Sequence, residues 1–291
     1  MRAHPRRFHR PMLCVALLLG WVLLNPPAPA AQAPALASSA SAAVDAASLS
    51  LDDREKFLAT ARIVKERSAP KGTTNTRRVT LSDGTMTHDA SVQTIEEAKA
   101  VFQGTQGTEL NFKDSWRFNV AAYRIDRLLS LGMIPATVER RHNGKSGSFT
   151  WWVDDVLMDE QERYRQKRQV PNTNDWNEQM WITRLFDQLI ANVDRNLGNL
   201  LIDKSYNIWM IDHSRAFRLN KDLLSPQNLS RVDRVVLDRL RQLDPDGLKR
   251  AAGDYLNDGE IDALLNRRDR IVAHFDKGGP ALVFDRRARC C

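Results

Sequence analysis

The spacing of Asp194, Asn199 and Asp212 stands out in residues 193–217, VDRNLGNLLIDKSYNIWMIDHSRAF. Asn199 follows Asp194 by five residues, and Asp212 follows Asp194 by eighteen. Mg²⁺ takes oxygen ligands and keeps several waters, so one carboxylate and one amide oxygen are enough to hold it against phosphate groups. A second carboxylate can orient an acceptor hydroxyl. The pattern predicts phosphoryl transfer, with Asn199 and Asp212 as metal ligands and Asp194 as the catalytic residue.

The surrounding elements predict how these three residues are brought together. Residues 200–203 and 208–212 are apolar runs separated by the polar sequence KSYN, which indicates a small hairpin. Asp194 and Asn199 precede its first strand and Asp212 ends its second, so all three are expected at one end of the hairpin. An apolar helix from about residue 175 leads directly into Asp194. The alternative interpretation is an acidic turn beside a surface hairpin.

Residues 193–217 resemble the catalytic and metal loops of atypical kinases of the HipA-like, phosphoinositide-kinase-like and secretory-pathway Golgi casein-kinase-like families. A second segment, residues 119–141, supports the resemblance. In the last family a helix of pattern E-x-A-A-x-x-L-D-R-x-L leads to a V-P-P element and a V-x-R strand. Residues 119–141 here read NVAAYRIDRLLSLGMIPATVERR. The resemblance implies an α+β, two-lobed protein-kinase-like fold with a β-rich N-lobe, a mainly helical C-lobe, and Mg²⁺ and ATP as cofactors.

The resemblance also implies nucleotide-binding residues in the N-lobe. Lys71 and Gly72, in the loop KGTTNT, would cover the ATP phosphates, although an ordinary surface loop is an equal alternative. The family's ion-paired Lys and Glu correspond here to Gln93 and Asn119, which can hydrogen-bond each other but supply no positive charge. Another cation is then needed at the phosphates. The candidates to replace it are Arg77, Arg78, Lys99 and Lys113.

These observations leave three functions open. The first is an Mg-ATP-dependent kinase acting on a protein or a small hydroxyl compound. The second is a pseudokinase that binds nucleotide or a partner without turnover, which the neutral pair at Gln93 and Asn119 favours. The third is a nucleotidyl transferase that uses the same metal ligands with the nucleotide reversed. After Asp212, His213 is expected to be structural, and Arg215 either neutralises phosphate or a substrate acid or is solvated.

The remaining pattern predicts the elements around the site. Residues 51–67 are expected to form a helix, residues 98–112 a loop or short helix, and residues 222–275 helices throughout. Asp83-Gly84 predicts a hairpin turn. Asp114 or Ser115 can cap the helix that follows them. The predicted organisation is an N-lobe over residues 51–158, a C-lobe over 159–278 and a loose tail over 279–291.

The N-terminus predicts export. Residues 1–30 combine four arginines with an apolar run over 12–24 and an A-x-A site, which indicates a signal peptide, and residues 31–50 read as an Ala/Ser-rich linker. The arginines account for four of the seven net positive charges, so nucleic-acid binding is not expected. We expect a periplasmic or secreted protein, attached to a membrane only if the leader stays uncleaved. Cys290 and Cys291 offer no disulfide framework.

Overall fold

A computed structural model describes residues 49–68, 76–104 and 107–287 of the chain. The predicted signal peptide and the loop with Lys71 and Gly72 lie outside these residues, as do Cys290 and Cys291. The described chain forms an N-terminal lobe built mainly of antiparallel strands and a C-terminal lobe built mainly of helices. The α+β, two-lobed architecture predicted from the sequence is confirmed.

The N-terminal lobe is organised around a five-stranded antiparallel sheet. In chain order the lobe contains α1 (Leu51–Thr60), β1 (Arg62–Ser68), β2 (Arg77–Ser82), β3 (Thr87–Gln93), β4 (Glu96–Gly104), β5 (Gly107–Ser115), α2 (Trp116–Leu129), β6 (Thr137–His142) and β7 (Lys145–Trp151). The sheet order is β1-β2-β3-β7-β6. The predicted turn joins β2 to β3, where Asp83 Oδ1 accepts 2.8 Å hydrogen bonds from the backbone N–H groups of Thr85 and Met86. Gly84 takes the left-handed φ of +95° that this turn requires.

Two predictions for this lobe were wrong. The helix expected over residues 51–67 ends at Thr60, and β1 begins at Arg62, where the β-branched Ile63 pairs with Leu81 of β2 and the register shifts at Val64. Residues 98–104 and 107–112, expected to be part of a loop or short helix, lie in strands β4 and β5. We call the pair of strands β4 and β5 the arm. Its two glycines, Gly104 and Gly107, form the last pair of the ladder and not a loop in its middle.

Helix α2 carries the block that suggested the kinase resemblance. Of the two predicted caps, Ser115 is the N-cap, and its hydroxyl accepts a hydrogen bond from the Arg117 N–H at 3.2 Å. The apolar stripe of the helix is buried against the sheet. Asp126, buried near the C-terminus of α2, accepts from the N–H groups of Met133 and Ile134 at 2.8 and 3.0 Å. This carboxylate therefore fixes the turn that leads from α2 to the sheet.

The C-terminal lobe begins after a short connection at residues 152–155. It contains β8 (Val156–Asp159), α3 (Glu160–Arg165), α4 (Thr173–Leu189), β9 (Leu200–Asp203), β10 (Ile208–Met210), β11 (Val232–Asp233), α5 (Arg234–Gln242), α6 (Pro245–Ala252), α7 (Asp258–Gly278) and β12 (Val283–Phe284). Strands β8, β9 and β10 form a small antiparallel sheet. Helix α4 is central, since its apolar face is almost fully buried. Its N-cap is Asn172, three residues before the start suggested by the sequence.

The C-terminal part of the chain departs from the sequence prediction in two places. Residues 222–231 are turns with one 3₁₀ segment at Pro226–Asn228, and the helices start only at Arg234, which Asp233 caps. Within the expected loose tail, β12 pairs in parallel with β11 and Phe284 is buried. Pro226 interrupts the helical pattern in the first of these places. In the second, Phe284 packs against Trp181 of α4.

No helix in the described ranges is both long enough and apolar enough to span a lipid bilayer.

Candidate active site

The β9–β10 hairpin brings Asn199 and Asp212 to the same end, as the sequence predicted. Leu200 pairs with Met210, and just beyond this pair the Ile211 N–H donates to the Asn199 carbonyl at 3.0 Å. Asn199 closes a short 3₁₀ turn immediately before β9, and Asp212 follows directly after Ile211. A backbone hydrogen bond across the hairpin therefore fixes the spacing between the two predicted metal ligands.

A buried ion pair positions the loop that carries Asp194. Arg195 and Asp187, the latter in α4, lie 3.0 Å apart, with side chains only 12% and 11% exposed. Arg195 also donates to the Ile211 carbonyl at 2.9 Å, and Asn192 Nδ2 donates to Asp187 at 3.1 Å. The Asp194 N–H donates to the Asn192 side-chain oxygen at 3.1 Å. The loop is thus tied both to α4 and to the hairpin, while the Asp194 side chain stays exposed.

A second arginine fixes the end of α4. Arg267 of α7 is fully buried, and it donates to the carbonyls of Leu189 and Arg218 at 2.8 and 2.9 Å. Burial lowers the pKa of Arg267 to about 10. Cations are favoured at helix C-termini, where carbonyl groups lack helical partners. The same side chain therefore holds the helix that leads into the Asp194 loop and the segment that follows Asp212.

Asp194 and Asp212 share one electrostatic environment. The surface of the Asp194 side chain is exposed, but partial desolvation of its carboxylate raises the pKa of Asp194, and the negative charge of Asp212 raises it further. The nearby guanidinium group of Arg215 acts in the opposite direction. Asp212 itself has a φ of +54°, a left-handed conformation that costs most residues about 1–2 kcal/mol and that Asp and Asn tolerate best. A carboxylate with a raised pKa is a better proton acceptor near neutral pH.

Gln93 and Asn119 contact each other, as expected for a neutral replacement of an ion pair. Asn119 Nδ2 donates to Gln93 Oε1 at 2.5 Å, and Asn119 Oδ1 accepts from the His213 N–H at 2.7 Å. Gln93 Nε2 donates to the Thr76 hydroxyl at 3.2 Å. Both amides are buried. The pair connects β3 through α2 to the residue after Asp212, and it brings no positive charge.

His213 lies in the core between the lobes. Its side chain is buried and packs edge-on to Phe186, with ring centroids 6.1 Å apart. Burial lowers the pKa of His213 well below its usual value, so the imidazole is neutral at physiological pH. Its Nε2 has no hydrogen-bond partner within the described part of the chain. These contacts fit the structural role expected for this residue.

The four cations proposed to replace the missing lysine are paired elsewhere. Arg77 binds Glu66 at 2.9 Å and Arg78 binds Asp89 at 2.6 Å, both across the N-terminal sheet. On the arm, the pairs are Lys99 with Glu97 and Lys113 with Glu260. Lys71 lies outside the described residues, so its predicted role is not tested.

Three arginines, Arg215, Arg195 and Arg218, lower the pKa of Asp194 through their positive charge. Arg195 is paired with Asp187, whereas Arg215 and Arg218 form ion pairs with Glu109 of the arm. The Arg215 guanidinium also lies 4.5 Å from the centre of the Phe112 ring. The sequence pointed to Arg215 because it follows Asp212 closely. Arg218 and Glu109 were missed, since the pairing of Arg215 with Glu109 joins residues 106 positions apart.

Asp114 is a third carboxylate in this site. It is buried at the end of β5, where the Ser115 N–H donates to the Ser214 carbonyl at 2.9 Å. Burial raises the pKa of Asp114, the Ser214 hydroxyl lowers it, and the charge of Asp212 raises it. Its Oδ1 has no hydrogen-bond partner among the described residues. Sequence reasoning considered Asp114 only as a helix cap.

The donor set fits a hard divalent cation. Asp212 and Asn199 offer oxygen atoms at one end of the hairpin, and Asp114 adds a buried oxygen that lacks a partner within the described chain. The charge of Asp212 raises the pKa of both other aspartates, a repulsion that a bound cation would relieve. Among the described residues, no three or more His, Cys, Asp or Glu side chains lie close enough together to hold a metal ion. A site of this kind would therefore need phosphate or water oxygens as further ligands.

A cavity at the base of the arm does not coincide with this site. It has a volume of about 350 Å³ and lies where the base of the arm meets the start of α7, with Lys113, Tyr255 and Glu260 in its wall. None of the predicted site residues lines it.

Comparison with solved structures identifies the fold. A Fam20 protein from hydra, solved with a sugar, superposes with a TM-score of 0.61 at 15% identity, over 81% of this chain and 92% of that chain. The Golgi casein kinase with Mn and ADP bound superposes with a TM-score of 0.57 at 15% identity, over 81% and 78% of the two chains. A second structure of the Golgi casein kinase gives 0.53 at 16% identity, over 77% and 75%. No protein-family model and no curated protein matched the sequence.

The chain therefore has the atypical kinase-like fold that its two sequence blocks suggested, with a sheet-rich N-terminal lobe and a helical C-terminal lobe. At 15–16% identity the likeness extends to the fold.

Proposed function

We propose that this protein is an exported, divalent-cation-dependent phosphotransferase that moves the γ-phosphoryl group of ATP to a hydroxyl group of a protein or small molecule. The observation that carries the proposal is the hairpin that holds Asn199 and Asp212 at one end. The charge of Asp212 also acts on Asp194 and raises its pKa. A chance acidic turn would not need the buried Asp187–Arg195 pair that fixes this loop. The kinase-like fold and a structural neighbour with Mn and ADP bound support the same chemistry.

Each residue has a distinct role in this reaction. Asp194 accepts the proton of the acceptor hydroxyl. The hydroxyl oxygen bonds to the γ-phosphorus, and the bond between that phosphorus and the β–γ bridging oxygen breaks, so that ADP leaves. Asn199 and Asp212 would hold Mg²⁺ or Mn²⁺, with Asp114 as a further oxygen donor. The metal, when bound, neutralises charge on the phosphate oxygens. The backbone bond between Ile211 and Asn199 keeps these donors in place.

The first experiment is a thermal-shift titration of the full chain with ATP, ADP and AMP, each with and without Mg²⁺ or Mn²⁺. A ligand that binds only the native state raises the melting temperature by mass action. We expect a metal-dependent rise with ATP and ADP that Asp212→Asn abolishes. Asparagine is the sharper substitution because it keeps the shape and tolerates the left-handed backbone at this position.

The matched control is Asp269→Asn. It removes a carboxylate of α7 that is 67% exposed and that pairs with the neighbouring Arg268. This variant should shift with nucleotide as the wild type does. An unchanged metal-dependent shift in Asp212→Asn would remove the metal assignment. No shift with any nucleotide in the wild type would overturn the proposed function.

A pseudokinase is the second candidate, and the buried pair Gln93–Asn119 favours it. Both amides are committed to hydrogen bonds with neighbours, so neither supplies charge to a phosphate. Incubation with γ-labelled and α-labelled ATP separates the candidates. Transfer of γ-label indicates a kinase, transfer of α-label a nucleotidyl transferase, and metal-dependent binding without transfer to any acceptor a pseudokinase.

A further inference from the structure

Gln93 occupies the predicted position of the lysine that would meet the phosphates, and it carries no positive charge. Arg215 and Arg218 follow Asp212 by three and six residues. Both lower the pKa of Asp194 through their positive charge. Cations near a catalytic carboxylate can stabilise the negative charge of a transferred phosphoryl group.

The arm holds both arginines through one glutamate. Glu109 Oε2 accepts from Arg215 Nη2, and Glu109 Oε1 lies 2.6 Å from Arg218 Nη2. The Phe112 ring lies under both guanidinium groups, at 4.5 and 5.9 Å from its centre. Glu109 is 30% exposed, whereas the Arg218 side chain is 12% exposed. The counter-ion is therefore the more accessible member of the cluster.

The two arginines have more hydrogen-bond donors than the described chain satisfies. Arg215 Nε and Arg218 Nε, Nη1 and Nη2 are buried without a hydrogen-bond acceptor among the described residues. The contact of Arg218 with Glu109 is close but out of line for a hydrogen bond. A guanidinium carries five N–H donors, and leaving such donors buried and unpaired is costly. A planar fork of free donors matches the oxygens of a phosphate group.

We propose that Arg215 and Arg218 bind the polyphosphate of the substrate, in place of the absent lysine, and that Glu109 is their counter-ion until the phosphate arrives. The inference rests on the proposed function for the identity of the substrate. Polyphosphate binding exchanges one carboxylate that the two arginines share for several phosphate oxygens.

The test measures binding of Mg²⁺-tripolyphosphate and Mg²⁺-ATP to the full chain by isothermal titration calorimetry. Arg215→Gln and Arg218→Gln should each weaken both ligands about tenfold, since hydrogen bonds between charged groups are worth about 1.5–3 kcal/mol. Glu109→Gln should strengthen both ligands, because it removes the competing carboxylate and keeps the arginines. Arg241→Gln, which removes an exposed arginine of α5, should bind as the wild type does.

The outcomes separate this inference from the proposed function. Tripolyphosphate binding that depends on the arginines, without any ATP binding, would support the inference and overturn the proposed function. ATP binding that is unchanged in Arg215→Gln and Arg218→Gln would support the function and overturn the inference. Weaker binding in Glu109→Gln would also overturn it, even if an arginine variant fails to fold. Absence of binding by either ligand in the wild type would overturn both.

Discussion

At the scale of single residues, Asn119 links the N-terminal sheet to the segment that follows Asp212. Its Nδ2 donates to Gln93 Oε1 and its Oδ1 accepts from the His213 N–H, and all three groups are buried. Asn119→Ala would leave a buried acceptor and a buried donor unpaired, at about 1–3 kcal/mol for each group. We expect the free energy of unfolding to fall by about 2–4 kcal/mol, measured by urea denaturation.

A matched control is Asn174→Ala, at an exposed position near the N-terminus of α4. Surface substitutions of this kind usually change stability by less than about 0.5 kcal/mol. Equal unfolding free energies for Asn119→Ala and Asn174→Ala would show that the amide pair does not connect the lobes. Asn119→Ala is also expected to change nucleotide binding only through the position of His213, because the amide carries no charge.

At the scale of elements, Asp89 connects three strands of the N-terminal sheet. Its carboxylate accepts from Thr80 at 2.5 Å and from Arg78 at 2.6 Å, both on β2, and from Arg67 on β1 at 3.1 Å. Burial alone would raise the pKa of Asp89, but the hydrogen bonds from Thr80 and Arg78 lower it below 3.8 overall. The ionised form is therefore favoured in the folded state, and its contribution to stability is present above pH 3.8 and is lost as the pH falls through the folded pKa.

We expect Asp89→Asn to lower the free energy of unfolding by about 1 kcal/mol at pH 7, a modest value because Arg67 is exposed. The difference from wild type should shrink as the pH falls below 3.8. Chemical denaturation at pH 7, 5 and 3 tests this. A difference that stays constant across the series would mean that Asp89 acts by packing and not by charge.

The elements also show which parts of the fold were accessible from the sequence. The β9–β10 hairpin and helix α2 have local signals, an apolar run with a polar turn and a stripe with a cap, so both were predicted correctly. Within the arm, Phe112 and Asp114 are buried, and Phe112 stacks on Phe102 of the same arm. The ion pairs of Glu109, in contrast, are formed with Arg215 and Arg218, which lie far away in the chain. Long-range pairing of this kind leaves no periodic pattern, which is why Glu109 and Arg218 could not be found.

At the scale of the whole molecule, the last described residues connect the two lobes. Arg286 donates to the Leu131 carbonyl at 2.9 Å, next to the end of α2, and its N–H donates to Asp233 at 3.0 Å in the C-terminal lobe. Phe284 packs against Trp181 of α4, with ring centroids 5.5 Å apart. The sequence suggested a loose tail because the short apolar run Leu282, Val283 and Phe284 is too short to predict a strand or a helix.

Phe284 packs against α4, the helix that leads into the Asp194 loop. Removal of the Phe284 side chain should therefore affect the entire C-terminal lobe. Phe284→Ala is expected to lower the free energy of unfolding by about 3–4 kcal/mol, as for other buried phenylalanines, and to lower the melting temperature in a calorimetric scan. Val235→Ala, at a position 49% exposed on α5, is the control and should melt close to the wild type. If Phe284→Ala melts with the control, then β12 contributes no stability and α4 is held by Arg267 and the core alone.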